Sequence, residues 1–211
     1  MDYQRWRNDV FGQPADSDPG EVELLEETYA LPQPEAFDFI DRALVDPDIH
    51  REFSKEQVGI GLYLIYTNGF SDFAFCYIDE VDEGRTVLGI QNLRHLYGNY
   101  FERYCTAPVE NIGNDQGDGQ MGFVCYMLWD GFVLYPGNVS PKLVAAGLGV
   151  MEHAIHSKND NCIVSAIHGL GHWVDDAPRA AQILELWLRR PTSQNKAVRE
   201  YAKHATTGRI Q

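Results

Sequence analysis

Residues 162–190, CIVSAIHGLGHWVDDAPRAAQILELWLRR, decide the fold class. On a helical wheel of about 100° per residue, Ile163, Ala166, Ile167, Leu170, Trp173 and Val174 share one arc, the pattern of an amphipathic helix. Asp175 and Asp176 end it, and Pro178 stands in the first turn of a second helix, where its missing N–H leaves no bond unmade. Two helices joined by a short polar turn make a helical hairpin.

The same signals recur outward. Ser140 and Pro141 open KLVAAGLGVMEHAIH, so three antiparallel helices are expected between 140 and 190. SQNKAVREYAKHA (193–205) reads as a charged surface helix with a frayed end. Towards the N-terminus, PEAFDFIDRALVD (34–46) spaces Phe37, Ile40, Ala43 and Leu44 by three and four and stops before Pro47. SKEQVGIGLYLIYTNG (54–69) begins with the capping-box pair Ser54 and Gln57 and ends at Gly69.

FSDFAFCYIDEV (70–81) has strand-like aromatic content, yet Phe70, Phe73, Ala74 and Tyr77 recur at helical spacing and predict a helix. EGRTVLGIQNLRHLYGNYFERYCTAP (83–108) predicts one long or bent helix, and MGFVCYMLWDGFVLYPG (121–137), apolar all round, a central one. No alternation of apolar and polar residues points to a sheet. The expected fold is all-α, a single domain over 1–211 built of stacked antiparallel helical hairpins, either an α-solenoid or an irregular helical bundle. Residues 1–20 are expected to be loosely ordered and 191–211 to form a basic C-terminal helix or tail.

VSAIHGLGHW (164–173), with the Pro178-led helix after it, resembles repeats of the HEAT and armadillo class over about a third of the chain. SAIHGLGHW and YMLWD (126–130) also resemble a group of short bacterial helical proteins. The first resemblance implies stacked hairpins, and neither implies an activity.

Composition excludes several classes. Apolar residues make up 44% of the chain and aromatics 12%, enough for a core and too many for disorder. No apolar run approaches the roughly 20 residues that span a bilayer, and MDYQRWRNDVFGQPADSD lacks a signal-peptide core, so no membrane partner and a cytoplasmic location are expected. Cys76, Cys105, Cys125 and Cys162 form no C-x-x-C pair and read as free, buried thiols. Net charge is -14, distributed as -10 over 1–50, -9 over 51–177 and +5 over 178–211. An acidic body disfavours ordinary nucleic-acid binding and suits a basic protein partner, while the basic tail could meet the acidic half of a second copy in salt-dependent self-association.

The chemistry candidates lie on the other arc of 162–176: Ser165, His168, His172, Asp175 and Asp176. Imidazoles at i and i+4 can share a divalent metal, as in H-E-x-x-H zinc sites, but Gly169-Leu170-Gly171 supplies no glutamate to activate water. Asp175, or His153 from the preceding helix, is the expected third ligand. The competing explanation is helix packing, with glycines permitting close approach and the histidines satisfied by hydrogen bonds. Ser165, His168, His172 and Asp176 are also candidates for a partner-binding surface.

NDQGDG (114–119) imitates a calcium loop, but Cys125 stands at position 12 where glutamate is required, so a turn is expected. Tyr63, Tyr66, Phe70, Phe73, Phe75 and Tyr77 suit a core better than a pocket. The chain is accordingly expected to be a non-enzymatic protein-binding module with an acidic surface and no cofactor; the alternative is a metal-binding protein or metal-dependent enzyme using His168, His172 and Asp175.

Overall fold

Helix follows helix through the residues that the computed structural model describes, 1–69, 71–78, 81–110, 112–113 and 117–210, and no strand occurs among them. The order is α1 (Tyr3–Phe11), α2 (Glu26–Tyr29), α3 (Gln33–Ala43), α4 (Ile49–Glu52), α5 (Lys55–Tyr66), α6 (Glu83–His95) and α7 (Glu102–Tyr104). Then come α8 (Gly119–Gly131), α9 (Pro141–Ala154), α10 (Asp160–Trp173), α11 (Pro178–Arg189) and α12 (Lys196–Ala205).

Local chemistry starts these helices. Ser54 and Gln57 form the reciprocal capping box of α5, and the Asn159 side chain accepts the first N–H groups of α10. Pro141 and Pro178 lie in the first turns of α9 and α11. Ser140 holds the cap position of α9, but its hydroxyl donates to Glu83 at 2.6 Å instead of capping. Residues 3–11, within the stretch expected to be loose, form a helix because Trp6, Val10 and Phe11 are fully buried. Trp6 packs on Phe11, Phe39 and Phe73. Each such burial is worth about 1.5–3 kcal/mol, enough to hold a short helix in place.

Two expectations change shape. The aromatic stretch 70–81 is a short 3-10 turn, Phe73–Tyr77, and not an α-helix; Phe70, Asp79 and Glu80 lie outside the described residues. Its cause is Ser71, whose hydroxyl donates to the Leu64 carbonyl at 2.5 Å and accepts from Phe73 N–H at 3.3 Å, forcing a tight turn after α5. Tyr66, Phe73 and Tyr77 are core residues, as their spacing suggested. The long segment after Glu83 bends through a π-helical turn, Leu96–Phe101, between α6 and α7. That turn carries both Tyr97 and Tyr100 into the interior, where Tyr100 donates to the Ala43 carbonyl.

α10 is the centre of the molecule. It packs most extensively on α8 and also touches α9, α11, α12 and the π-helical turn. α12 is more than a charged surface helix: Val198, Ala202 and Ala205 are buried against α10, a narrow apolar stripe hidden among Lys, Arg and Glu. In the loop before α8, Asn114–Gln116 lie outside the described residues. Asp118 binds Lys55 Nζ at 2.6 Å and Ala107 N–H at 2.8 Å, and so anchors the loop.

All four cysteines are free and buried. Burial pushes the Cys76 and Cys125 thiols well above their ordinary range, which removes the thiolate that reacts. Ellman's reagent is therefore expected to release no thiolate from the native protein faster than the chain unfolds, and four equivalents in denaturant. A rapid stoichiometric reaction of the folded protein would contradict this burial.

Candidate functional site

The central position of α10 decides what the helical wheel left open. The arc opposite the apolar one is covered over its first half, with Ser165 fully buried and His168 2% exposed, and opens to solvent towards Asp175 and Asp176. The Ser165 hydroxyl pairs with Tyr97 at 2.8 Å, and Trp129 Nε1–H donates to the same Tyr97 oxygen at 2.8 Å. Ser165 is thus a knot between α8, α10 and the π-helical turn, and offers nothing to a partner's surface.

The two glycines of the motif explain how neighbours come so close. A Cβ at Gly169 would stand 2.5 Å from Cγ of Trp129 on α8, and one at Gly171 would stand 3.1 Å from Cβ of Ala205 on α12. The histidines on either side of this pinch meet side chains from both neighbours. His168 lies against the Tyr126 ring, centroids 4.3 Å apart, and its Nδ1 is 2.6 Å from the Tyr201 hydroxyl. Tyr126 and Tyr201 hydroxyls are 3.3 Å apart.

On the other side, His168 Nε2 and His172 Nε2 are 3.1 Å apart, and His172 Nε2 is 3.4 Å from Asp130 Oδ1. One donor atom from each of Asp130, His168 and His172 lies within 4.8 Å of the other two. Burial and the neighbouring His172 hold His168 down to about 3, so its imidazole is neutral at ordinary pH. Burial also lowers His172, opposed by Asp130. Burial raises the Tyr126 and Tyr201 phenols, which therefore stay protonated.

The expected ligands are brought together only in part. His168 and His172 converge, and the carboxylate beside them is Asp130 of α8; Asp175 and His153 stand outside this group. Asp175 is exposed at the end of α10, where helical spacing placed it near His168 on the wheel but the chain has already turned. His153 is exposed in a separate groove with His156, Ser157 and Lys158. Asp176 is exposed and accepts the Tyr135 hydroxyl at 2.6 Å.

Asp130, Tyr126 and Tyr201 escaped the reading of 162–176 because they come from other helices. A signal existed: Tyr126 and Asp130 are i and i+4 on an otherwise apolar helix, the same step that separates His168 and His172.

Asp130 and His172 also form part of the wall of a cavity of about 320 Å³, which Phe75, Trp129, Phe132 and Tyr135 help to enclose. A larger apolar groove of about 560 Å³, between α9 and the start of α11, is bordered by Asp176 and the Glu152–Arg179 ion pair. Among the described residues no helix is long and apolar enough to cross a membrane. No protein-family model, curated protein or solved structure matches the chain.

Proposed function

We propose that the chain is a divalent-metal-binding protein whose ligands are Asp130 Oδ1, His168 Nε2 and His172 Nε2, with the remaining coordination turned to the adjoining cavity. The observation that carries this is the convergence of the three donor atoms. Ligands about 2.0–2.1 Å from a tetrahedral zinc stand about 3.3 Å from one another. The separations of 3.1 and 3.4 Å bracket that edge. Three protein ligands with an open position are the arrangement of zinc sites that act on a bound molecule, not of closed structural sites.

The surroundings support the reading. With Nδ1–H of His168 donating to the Tyr201 oxygen, its Nε2 lone pair is free for the ion, the usual way an outer partner fixes a ligating imidazole. Of the two expected arrangements, the irregular helical bundle fits better, because α10 packs on α8 and α12 as well as on its sequence neighbours α9 and α11. A second reading, docking of a basic protein partner, rests on the 560 Å³ groove and the net charge of -14. It has no comparable convergence of polar groups behind it, so the metal reading is preferred.

The test uses protein purified without a histidine tag, equilibrated with zinc or cobalt and freed of unbound ion. The expected result is about one metal per chain, with tetrahedral cobalt absorption. His168→Ala, His172→Ala and Asp130→Asn are expected to abolish stoichiometric uptake, and Asp175→Asn and His153→Ala to leave it intact. Tyr201→Phe should weaken binding about 10–100-fold, as loss of an outer partner does. Wild-type uptake no greater than that of folded His172→Ala would overturn the proposal.

A further inference from the structure

We propose that the 320 Å³ cavity takes a small uncharged or cationic molecule with a flat, aromatic body and rejects phosphate esters and other multiply charged anions. This rests on the metal reading of Asp130, His168 and His172, and specifies what the ion would meet.

Charge sets the preference. Sites for phosphate groups use Arg or Lys side chains, or clustered backbone N–H groups at a helix start. The cavity wall contains no Lys or Arg among the described residues. It is formed by the opposite end of a helix: Trp129 and Asp130 belong to the last turn of α8, where the helix dipole makes the potential negative. Asp130 adds a carboxylate, and at the mouth Tyr135 donates to Asp176. Asp175 lies close enough that its charge, with that of Asp176, opposes ionisation of Tyr135. A divalent ion would be the single positive feature, already partly neutralised by its own aspartate ligand.

Shape points the same way. Phe75, Trp129, Phe132 and Tyr135 place aromatic groups in the wall of this half-open cavity, against which an aromatic or cationic body can pack. The volume corresponds to about ten waters at roughly 30 Å³ each, so the ligand has on the order of ten non-hydrogen atoms. Of the polar wall residues, Asn138 is committed to its own loop, through Tyr135 N–H at 3.0 Å and the Val133 carbonyl at 3.1 Å. Asn68 is exposed at the wall, and its side-chain amide can present a donor and an acceptor to a ligand.

Calorimetry on zinc-loaded protein separates these terms with three probes. Benzohydroxamic acid is an aromatic chelator, neutral in solution, that releases one proton on binding zinc; acetohydroxamic acid lacks the ring, and phenylphosphonic acid keeps the ring but carries up to two negative charges. Benzohydroxamic acid is expected to bind at least about tenfold more tightly than either of the others, a step equal to 1.4 kcal/mol. Asn68→Trp, which fills the cavity from an exposed position, and Phe75→Ala are each expected to weaken it by about tenfold while zinc content stays unchanged.

Phenylphosphonic acid binding as tightly as benzohydroxamic acid overturns this proposal alone, provided zinc is taken up. So does wild-type affinity in both variants. Failure of the wild-type protein to take up zinc overturns the parent reading, and this one with it.

Discussion

Gly169→Ala is expected to destabilise the protein by about 1–3 kcal/mol, although alanine is the better helix former by about 1 kcal/mol. The added methyl would lie 2.5–2.6 Å from Cγ, Cβ and Cδ1 of Trp129, and these atoms cannot easily yield. Trp129 is buried, held by its bond to Tyr97, and packed edge-on against Trp173 with centroids 5.8 Å apart. Relief therefore requires α8 to move away from α10. Asp130 follows Trp129 directly, so the same displacement separates it from His172; if the proposed site takes up zinc, its zinc content should fall in the fraction that still folds. A denaturant midpoint equal to or above that of the wild type would show that the close approach at Gly169 contributes nothing.

Arg7→Ala should cost more, about 3–5 kcal/mol, because it removes the only cation paired, among the described residues, with a partly buried carboxylate that then keeps neutral donors alone. The Arg7 side chain is 2% exposed and reaches Asp46 at 3.3 Å, and Glu52 as well. Glu52 is half exposed and contributes little; Asp46 is 10% exposed and is the group at risk. Burial opposes ionisation of Asp46, but hydrogen bonds from the Tyr3 hydroxyl and Asp48 N–H, together with Arg7, hold its carboxyl below the usual range.

A depressed folded-state pKa fixes the direction of the pH effect. The contribution is full above the unfolded value near about 4 and is lost as pH falls through the folded one. Urea denaturation at neutral pH should show the full cost for Arg7→Ala, and a smaller gap from wild type below about pH 4. The control Arg5→Ala removes an exposed pair with Glu27 and should cost no more than about 1 kcal/mol. Equal losses for the two variants would refute the assignment.

Much of the helical layout was legible because its causes are local. The Ser54–Gln57 box and the first-turn prolines of α9 and α11 act within one turn of chain. A helical wheel, however, separates the sides of a helix without saying what lies opposite each. It set Ser165 and His168 apart from Ile163 and Leu170, but their burial depends on α8, α12 and the π-helical turn. Asp175 shares the wheel position that Asp130 fills in space, and only tertiary packing distinguishes them. The turn at 73–77 hid for the same kind of reason: the Ser71 hydroxyl overrode an aromatic periodicity that was real but served burial on several sides.

The Tyr97–Ser165–Trp129 knot has a consequence for the timing of order. The side chains of Trp129, next to Asp130, and of Ser165, one turn before His168, are tied to the same tyrosine oxygen, deep in the interior. Their mutual position is settled when the chain folds, not when a ligand arrives. An ion entering this site would have few residues to immobilise, so its intrinsic affinity would appear undiminished by a conformational equilibrium. The same tie means that Asp130, directly after Trp129, and His168, one turn after Ser165, keep their mutual position until the α8–α10 core itself comes undone.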